Sequence, residues 1–367
     1  MLSFHSLKVT AVERAAEDAV SVTLAIPPAL RERFHFDAGQ YVTVRRMIDG
    51  REERRTYSIV TAPGSCALRL GVREQRGGRM SRELATRVRP GDTLDVGTPV
   101  GRFRTAVDPA RTRSYVAFAS GSGITPVLSL ATDILVREPS SRFTLIYGNR
   151  NMARTMFLEE TLALKNRYLD RFSVHFVMSR EPQQTELLNG RIEMPKILEL
   201  ARRFAEISSA DEYFVCGPGH MVDQVREAVK VLNPNAPVRF ERFAAAASPG
   251  RPGESQSTAL AQAANTVEAP APEILSTLSI VMDGRRRSFP MMAADASVLE
   301  AAEHAGLALP FSCRSGICAT CRARIVGGSA VMAHNIALEP WEIDAGFILC
   351  CQARPTSATL ELTYDDK

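Results

Sequence analysis

"CRSGICATC", Cys313 to Cys321, puts three thiols into nine residues, with one isoleucine, one arginine and otherwise small side chains between them. The spacing is C-x4-C-x2-C, and Cys351 follows after 29 intervening residues. That is the spacing of plant-type [2Fe–2S] loops. Two irons bridged by sulfide need four thiolates converging on a small volume. Gly316 and Ala319 keep the loop backbone close, so that N–H groups can turn toward the sulfurs. Cys350 and Cys351 are neighbours whose side chains diverge, so one of the two ligates. A structural zinc is the competing occupant, but zinc knuckles more often come as paired C-x2-C units, and only one pair has that spacing here. None of the six histidines (5, 35, 175, 220, 304, 334) pairs at metal-ligand spacing.

Five of the seven cysteines fall between Cys313 and Cys351. Secreted disulfide frameworks spread their cysteines along the chain, whereas clustering in a reducing compartment points to metal or redox chemistry. A length of 367 residues predicts two or three domains. The net charge of +4 is mild, and the basic residues lack the aromatic interleaving of a nucleic-acid surface, which excludes that partner. No run approaches the roughly 18 apolar residues of a membrane helix. The start, "MLSFHSLKVT", has no charged segment leading into an apolar one. A cytoplasmic protein without membrane insertion is expected.

Upstream of the cysteines the rhythm changes twice. "AVSVTLAIP", "GQYVTVRR" and "RPGDTLDVG" read as strands and turns of a small antiparallel β-barrel over residues 1–107. Over 108–243, "SYVAFAS", "FTLIYGN", "FSVHFVMS" and "EYFVCG" are strands. They alternate with helices "TPVLSLATDILV", "MFLEETLALKNRY", "MPKILELARRFAEI" and "HMVDQVREAVKVL". That alternation predicts a doubly wound parallel α/β sheet with ligands at the carboxyl ends of its strands. Residues 244–272 are mostly Ala, Pro, Ser, Gly and Gln, and read as a flexible linker. In 273–367, "LSIVMDGRRRSF" predicts a hairpin turning at Asp283-Gly284. "SVLEAAEHAG" predicts a helix with a capping box of Ser297 and Glu300 that ends at Gly306, and "ATLELTY" a closing strand, giving a small α+β domain.

Two motifs on the barrel suit a flavin. "RRTYSIV" supplies a cation (Arg55), an aromatic ring (Tyr57) and a hydroxyl (Ser58), for a phosphate, a stacking face and a redox nitrogen. "GGRMS" opens a helix at Gly78 and Ser81, exposing N–H groups to a pyrophosphate. In the second segment "ASGSGITP" follows a buried strand and fits a nucleotide loop. "YGNR" and "CGPG" end two further strands at the same edge. "SRE", from Ser179, sets a hydroxyl beside the guanidinium of Arg180, which suits the 2′-phosphate of NADPH, with Arg150 or Arg191 assisting.

These motifs together resemble the ferredoxin–NADP reductase superfamily, and "CRSGICATCRARIVGG" with "LCCQARP" resembles the C-terminal ferredoxin of bacterial oxygenase reductases. The resemblance implies FAD at Arg55, Tyr57, Ser58, Gly78 and Ser81. It implies NADPH at Gly121, Gly123, Thr125, Pro126, Arg150, Ser179 and Arg180, and a β-grasp ferredoxin at the end of the chain. It selects Cys351 as the fourth ligand beside Cys313, Cys318 and Cys321, and brings Cys216 near the hydride path. "ERF" resembles the end of plant-type reductases, where the acid (here Glu241) and the ring (here Phe243) sit against the flavin. The implied activity is an NADPH-dependent reductase that passes electrons through FAD and [2Fe–2S], one at a time, to an oxygenase component, the di-iron phenylacetyl-CoA epoxidase type among them. A Rieske oxygenase, a desaturase or a hybrid-cluster protein is the alternative acceptor. A nucleotide-responsive module stabilised by zinc is the alternative from another class.

Overall fold

The computed structural model describes residues 3–243 and 274–366. They fall into two compact units, each taken by itself below. The linker expected at 244–272 lies outside the described residues.

The first unit begins with strands whose buried side chains alternate in part, as at Leu7 and Val9, Val22 and Leu24, and Leu68 and Leu70, the pattern of a sheet with one core face. They are β1 (Phe4–Ala16), β2 (Ala19–Ala25), β3 (Tyr41–Ile48), β4 (Arg51–Ser58), β5 (Ala67–Arg73) and, after helix α1 (Arg79–Thr86), β6 (Thr93–Gly97). They pair antiparallel in the order β4-β3-β6-β1-β2-β5. An Ile59–Leu70 bridge beyond β4 joins the two edges and curls the sheet into a barrel. Leu7, Val22, Leu24, Val42, Val44, Leu70 and Val72 fill it, all fully buried.

Next come β7 (Ser114–Ser120), α2 (Ile124–Arg137), β8 (Arg142–Asn149), α3 (Leu158–Arg167), β9 (Phe172–Met178), α4 (Met194–Arg203), β10 (Glu212–Pro218), α5 (Gly219–Leu232) and β11 (Val238–Phe243). The strands are parallel, in the order β11-β10-β7-β8-β9. Both faces of β7 are buried, which is why it reads as an unbroken apolar run. Tyr115, Ala117 and Ala119 share a core with Val127 and Ile134 of α2, while Val116 and Phe118 share another with Val222 and Val225 of α5. The chain runs outward from β7 to β9, then restarts on the other side at β10. The resulting crevice lies between the ends of β7 and β10. The third helix starts later than its apolar pattern predicts. Phe157 is left-handed (φ 54°) and donates its N–H to Ala15 of β1 at 3.1 Å, so the chain docks on the barrel before it coils.

The second unit contains β12 (Ile274–Met282), β13 (Arg285–Met292), α6 (Val298–His304), β14 (Arg322–Gly327), β15 (Ala330–Met332), α7 (Pro340–Asp344), β16 (Phe347–Leu349), β17 (Ala353–Pro355) and β18 (Thr359–Thr363). Its mixed sheet, β13-β12-β18-β14-β16, has β12 and β18 parallel, a β-grasp arrangement. Asp283 and Gly284 make the expected turn with φ of 53° and 70°, both amides donating to Asp365. The expected capping box on α6 is only half present. Ser297 accepts the Glu300 N–H at 3.3 Å, but the Glu300 carboxylate takes the N–H of Ala296 at 2.6 Å. The reciprocal box belongs instead to α7, between Glu339 and Glu342.

Candidate functional site

The cysteine loop of the second unit turns through three left-handed residues, Arg314, Gly316 and Ala319, at φ 55°, 74° and 52°. Gly316 admits no side chain, because a Cβ would stand 2.8 Å from the His334 carbonyl oxygen. These turns aim backbone amides inward. Ser315, Ile317 and Cys318 each donate to Cys313 Sγ at 3.4 Å, and Cys313 donates to Cys318 Sγ at 3.5 Å. The Cys318 thiol and two of these amides hold Cys313 down to about 4. Contact with Cys321 likewise lowers Cys351, while Cys318 and Cys321 rise as their partners' proton donors. The thiols therefore meet as two pairs, Cys313 with Cys318 and Cys321 with Cys351.

Among the described residues no three His, Cys, Asp or Glu side chains converge on one ion-sized point. Two pairs of thiols, ringed by N–H donors, are the donor set that two sulfide-bridged irons take, two thiolates to each. Cys350 is fully buried, is pushed up to about 12 by burial, and faces the Tyr364 hydroxyl.

In the first unit β4 carries Arg55, Tyr57 and Ser58 to the mouth of the barrel. One carboxylate, Glu53, meets both Arg55 (3.2 Å) and Arg79 (3.5 Å), drawing β4 to the start of α1. Gly78 caps that helix, and a Cβ on it would stand 2.5 Å from Ser81 Oγ. Ser81 Oγ in turn accepts the Gln75 N–H at 3.1 Å. Tyr57 is half-buried, and burial raises its hydroxyl against the pull of Arg55. A ring, a cation and a helix N-terminus on one side of the barrel fit a flavin and its phosphates.

At the crevice of the parallel sheet the nucleotide loop is locked from below. Gly121 is left-handed (φ 57°), and its carbonyl accepts the Tyr147 hydroxyl at 2.9 Å. Gly123 lies against β10, where a Cβ would fall 2.1 Å from the Cys216 carbonyl oxygen. Thr125 donates to the Ser122 carbonyl at 2.9 Å, and Pro126 is buried beside it. Cys216 is fully buried next to Glu241 of β11, and burial keeps it a neutral thiol. Glu241 itself is pushed up to about 8 by burial, with Oε2 covered and without a partner. Phe243, half-buried, packs on the same core as Cys216.

Ser179 and Arg180 extend β9 in step with Asn149 and Arg150, through N–H bonds of 2.9 and 2.8 Å. The guanidiniums of Arg150 and Arg180 are thereby brought together, both exposed and without a carboxylate partner among the described residues. Arg154, burial, Arg180 and Arg73 together hold Arg150 below its ordinary value, against a smaller opposing pull from Asp18. Arg191 is not among those cations. Glu181 forms no ion pair with either guanidinium among the described residues; its carboxylate accepts the Met152 N–H at 2.8 Å.

Three contributors were given no role by the sequence, although Tyr147 lies in "YGNR" and Gln352 in "LCCQARP". Tyr147 is the buried partner of Gly121. Arg73, from the barrel, has Nη1 3.1 Å from where a Cβ on Gly121 would stand, and it is anchored on Asp18. Gln352 donates to the Arg314 carbonyl at 2.8 Å. The signal for Tyr147 and Gln352 was their place inside those two stretches, as a polar group with no part assigned to it, while that for Arg73 exists only in the topology.

The chain matches the sequence-family models "Oxidoreductase FAD-binding domain" over residues 6–105, "Oxidoreductase NAD-binding domain" over 118–227 and "2Fe-2S iron-sulfur cluster binding domain" over 280–356. It is 37% identical to one of the subunits of the 1,2-phenylacetyl-CoA epoxidase of Escherichia coli (strain K12), across 100% of this chain and 99% of that protein. It is 30% identical to the 3-ketosteroid-9-alpha-monooxygenase ferredoxin reductase component of Rhodococcus rhodochrous, across 98% and 96% of the two. The crystal structure of phthalate dioxygenase reductase shares the fold, with a TM-score of 0.59 and 24% identity over 98% of both chains. The chain belongs to the family of ferredoxin-reductase-type oxidoreductases that join FAD, NAD(P) and [2Fe–2S] modules and serve multicomponent oxygenases. Its cofactors are FAD and a [2Fe–2S] cluster. Among the described residues no helix is long and apolar enough to cross a membrane.

Proposed function

We propose that the protein is the NADPH-dependent reductase of a multicomponent oxygenase of the di-iron, phenylacetyl-CoA epoxidase type, working in the cytoplasm. The whole-length likeness to a component of that epoxidase supports the acceptor class. In this arrangement residues 1–107 hold FAD, 108–243 the nucleotide and 273–367 the cluster, with 244–272 joining them. Bound there, FAD would supply the conversion of two-electron into one-electron chemistry, and the cluster would supply a one-electron carrier.

The chain's own groups bind and orient. Arg55 and the Gly78–Ser81 turn take the flavin phosphates, Tyr57 stacks, and Ser58 offers a hydroxyl to the redox nitrogen. Gly121, Gly123, Thr125 and Pro126 shape the bed of the nucleotide, with Cys216 and Phe243 lining it. Glu241, protonated up to about pH 8, keeps a proton beside the reacting rings. Cys313, Cys318, Cys321 and Cys351 ligate the irons.

The single observation that carries the choice of NADPH is the unpaired pair Arg150 and Arg180. Two mutually repelling guanidiniums are unfavourable without an anion, and a 2′-phosphate is one. The test is steady-state kinetics with both nucleotides, using ferricyanide and then the oxygenase subunits of a phenylacetyl-CoA epoxidase as acceptor. A kcat/KM for NADPH at least about tenfold above that for NADH is expected, equivalent to about 1.4 kcal/mol. Equal values, or no transfer to the epoxidase subunits, refute the corresponding half of the proposal.

A further inference from the structure

Gln352 follows the last cysteine and is held by its backbone on both sides. Its N–H donates to the Leu349 carbonyl at 2.8 Å, and its carbonyl accepts the Ala333 N–H at 2.9 Å. From that fixed position the side chain runs along the cysteine loop. Its Cγ lies 3.1 Å from where a Cβ on Gly316 would stand. Its Nε2 lies 2.8 Å from the Arg314 carbonyl oxygen and 3.8 Å from Cys351 Sγ. Only the NH2 end of an amide can face a carbonyl at that distance, so its orientation is settled by the contact. The NH2 group carries two hydrogens, enough for one bond to the carbonyl and one to the sulfur.

The two thiol pairs are served differently. Cys313 Sγ receives three backbone amides. Cys351 draws on the Gly316 amide and on the side chain of Gln352. A side chain thus supplies on one side of the site what the loop backbone supplies on the other.

We propose that Gln352 is a positioning residue for the cluster. Its amide latches the loop through the Arg314 carbonyl and donates an N–H to the Cys351 sulfur, which raises the reduction potential of the cluster and slows its loss. The direction follows from charge: reduction adds an electron to the cluster, and a donor at the sulfur stabilises the more negative state. The inference rests on Cys351 being a ligand.

The test uses the full-length protein with Gln352→Met and Gln352→Ala. Methionine keeps the length and the packing against Gly316 but donates nothing, whereas alanine removes both. Iron and sulfide content, a potentiometric titration followed by EPR, and the rate of cluster loss to a chelator are measured. Both variants are expected to load the cluster and to show a more negative potential. Electron uptake should become about tenfold less favourable, about 59 mV for a one-electron couple. Cluster loss should accelerate severalfold, more for Gln352→Ala. An unchanged potential in Gln352→Met overturns the proposal, as does a Gln352→Ala variant that loses its cluster faster at the wild-type potential, which would leave packing alone. The ligand assignment fails separately, if Cys351→Ser retains the cluster and Cys350→Ser loses it.

Discussion

The cysteine loop and the nucleotide crevice are built on opposite plans. Nine consecutive residues supply three of the four candidate thiol ligands together with the amides around them. The crevice takes Gly121 and Gly123 from beyond β7, Arg150 from beyond β8, Ser179 and Arg180 from beyond β9, Cys216 from β10 and Glu241 from β11, and borrows Arg73 from the barrel. One site is written in spacing, the other in strand order. A local site should therefore fail as a loop and leave everything else intact, while a distributed one should lose function in grades, according to which strand end is disturbed.

The largest effect is expected where the plan is local. Cys313→Ser, Cys318→Ser, Cys321→Ser and Cys351→Ser should each abolish the iron–sulfur absorbance and transfer to a protein acceptor, since serine is a poor substitute for a thiolate. NADPH:ferricyanide activity, which belongs to the other unit, should stay within about twofold, because distant sites act independently. Cys350→Ser should keep its cluster, its side chain being committed to the core beside Tyr364. Iron content and visible spectra check the series. A ferricyanide activity that collapses along with the cluster would break the comparison outright.

Two glycines sharpen it. Gly123→Ala drives a Cβ to 2.1 Å from a backbone oxygen of β10, and Gly316→Ala drives one to 2.8 Å from a backbone oxygen at φ 74°. Neither neighbour is the flexible end of a side chain. Gly123→Ala should lower NADPH oxidation at least tenfold and destabilise its unit by about 1–3 kcal/mol, with the iron content unchanged. Gly316→Ala should do the reverse, lowering iron content and sparing NADPH oxidation. Nucleotide kinetics and iron analysis on the same two preparations decide it.

How much the sequence disclosed follows the same division. The thiol spacing, the Asp283-Gly284 hairpin and the alternation of strands and helices were legible, because each rests on neighbours within a few residues. Glu300 was misjudged: its carboxylate takes the Ala296 amide, one residue before the Ser297 amide that the motif assigns to it. The box of Glu339 and Glu342 went unread because the first position is an acid where serine or threonine is the usual signal. The late start of α3 was invisible, since its cause is a bond to Ala15, 142 positions upstream of Phe157. The Arg73 contact on Gly121 was invisible for the same reason. A residue on a barrel strand becomes part of a nucleotide site only once two sheets have been packed together.

A smaller effect is expected at the arginine pair, where each strand end contributes part of one charge site. Arg180→Ala should raise the KM for NADPH by about tenfold and leave NADH unchanged, a loss typical of one charge-assisted contact. Arg150→Ala should do the same to a lesser degree, because removing one guanidinium also relieves its repulsion with Arg154 and Arg180. The proposed preference for NADPH should weaken as salt is added, both cations being exposed. An Arg180→Ala variant with unaltered preference would move the 2′-phosphate site elsewhere.

The smallest effect, and the one that separates the two units most cleanly, concerns Glu241. Burial raises its carboxyl to about 8 in the folded protein. In the unfolded chain a glutamate releases its proton near the ordinary value of about 4.3. Between those two values the folded state binds more protons than the unfolded state, so its stability falls as pH rises through that window and levels off above about 8. Glu241→Gln keeps the shape and a hydrogen-bonding end but does not titrate. The wild type should therefore lose melting temperature in the first unit relative to Glu241→Gln as pH rises from about 5 to about 8, each ~1 kcal/mol lost lowering the melting temperature of a unit of this size by roughly 2–4 °C. The second unit should melt identically in both proteins at every pH, because its core shares no residue with Glu241. Thermal scans followed separately by flavin fluorescence and by iron–sulfur absorbance resolve the two transitions. Parallel pH curves for the two proteins in the flavin signal would mean that Glu241 ionises like a surface acid, and would remove it as the held proton beside the reacting rings.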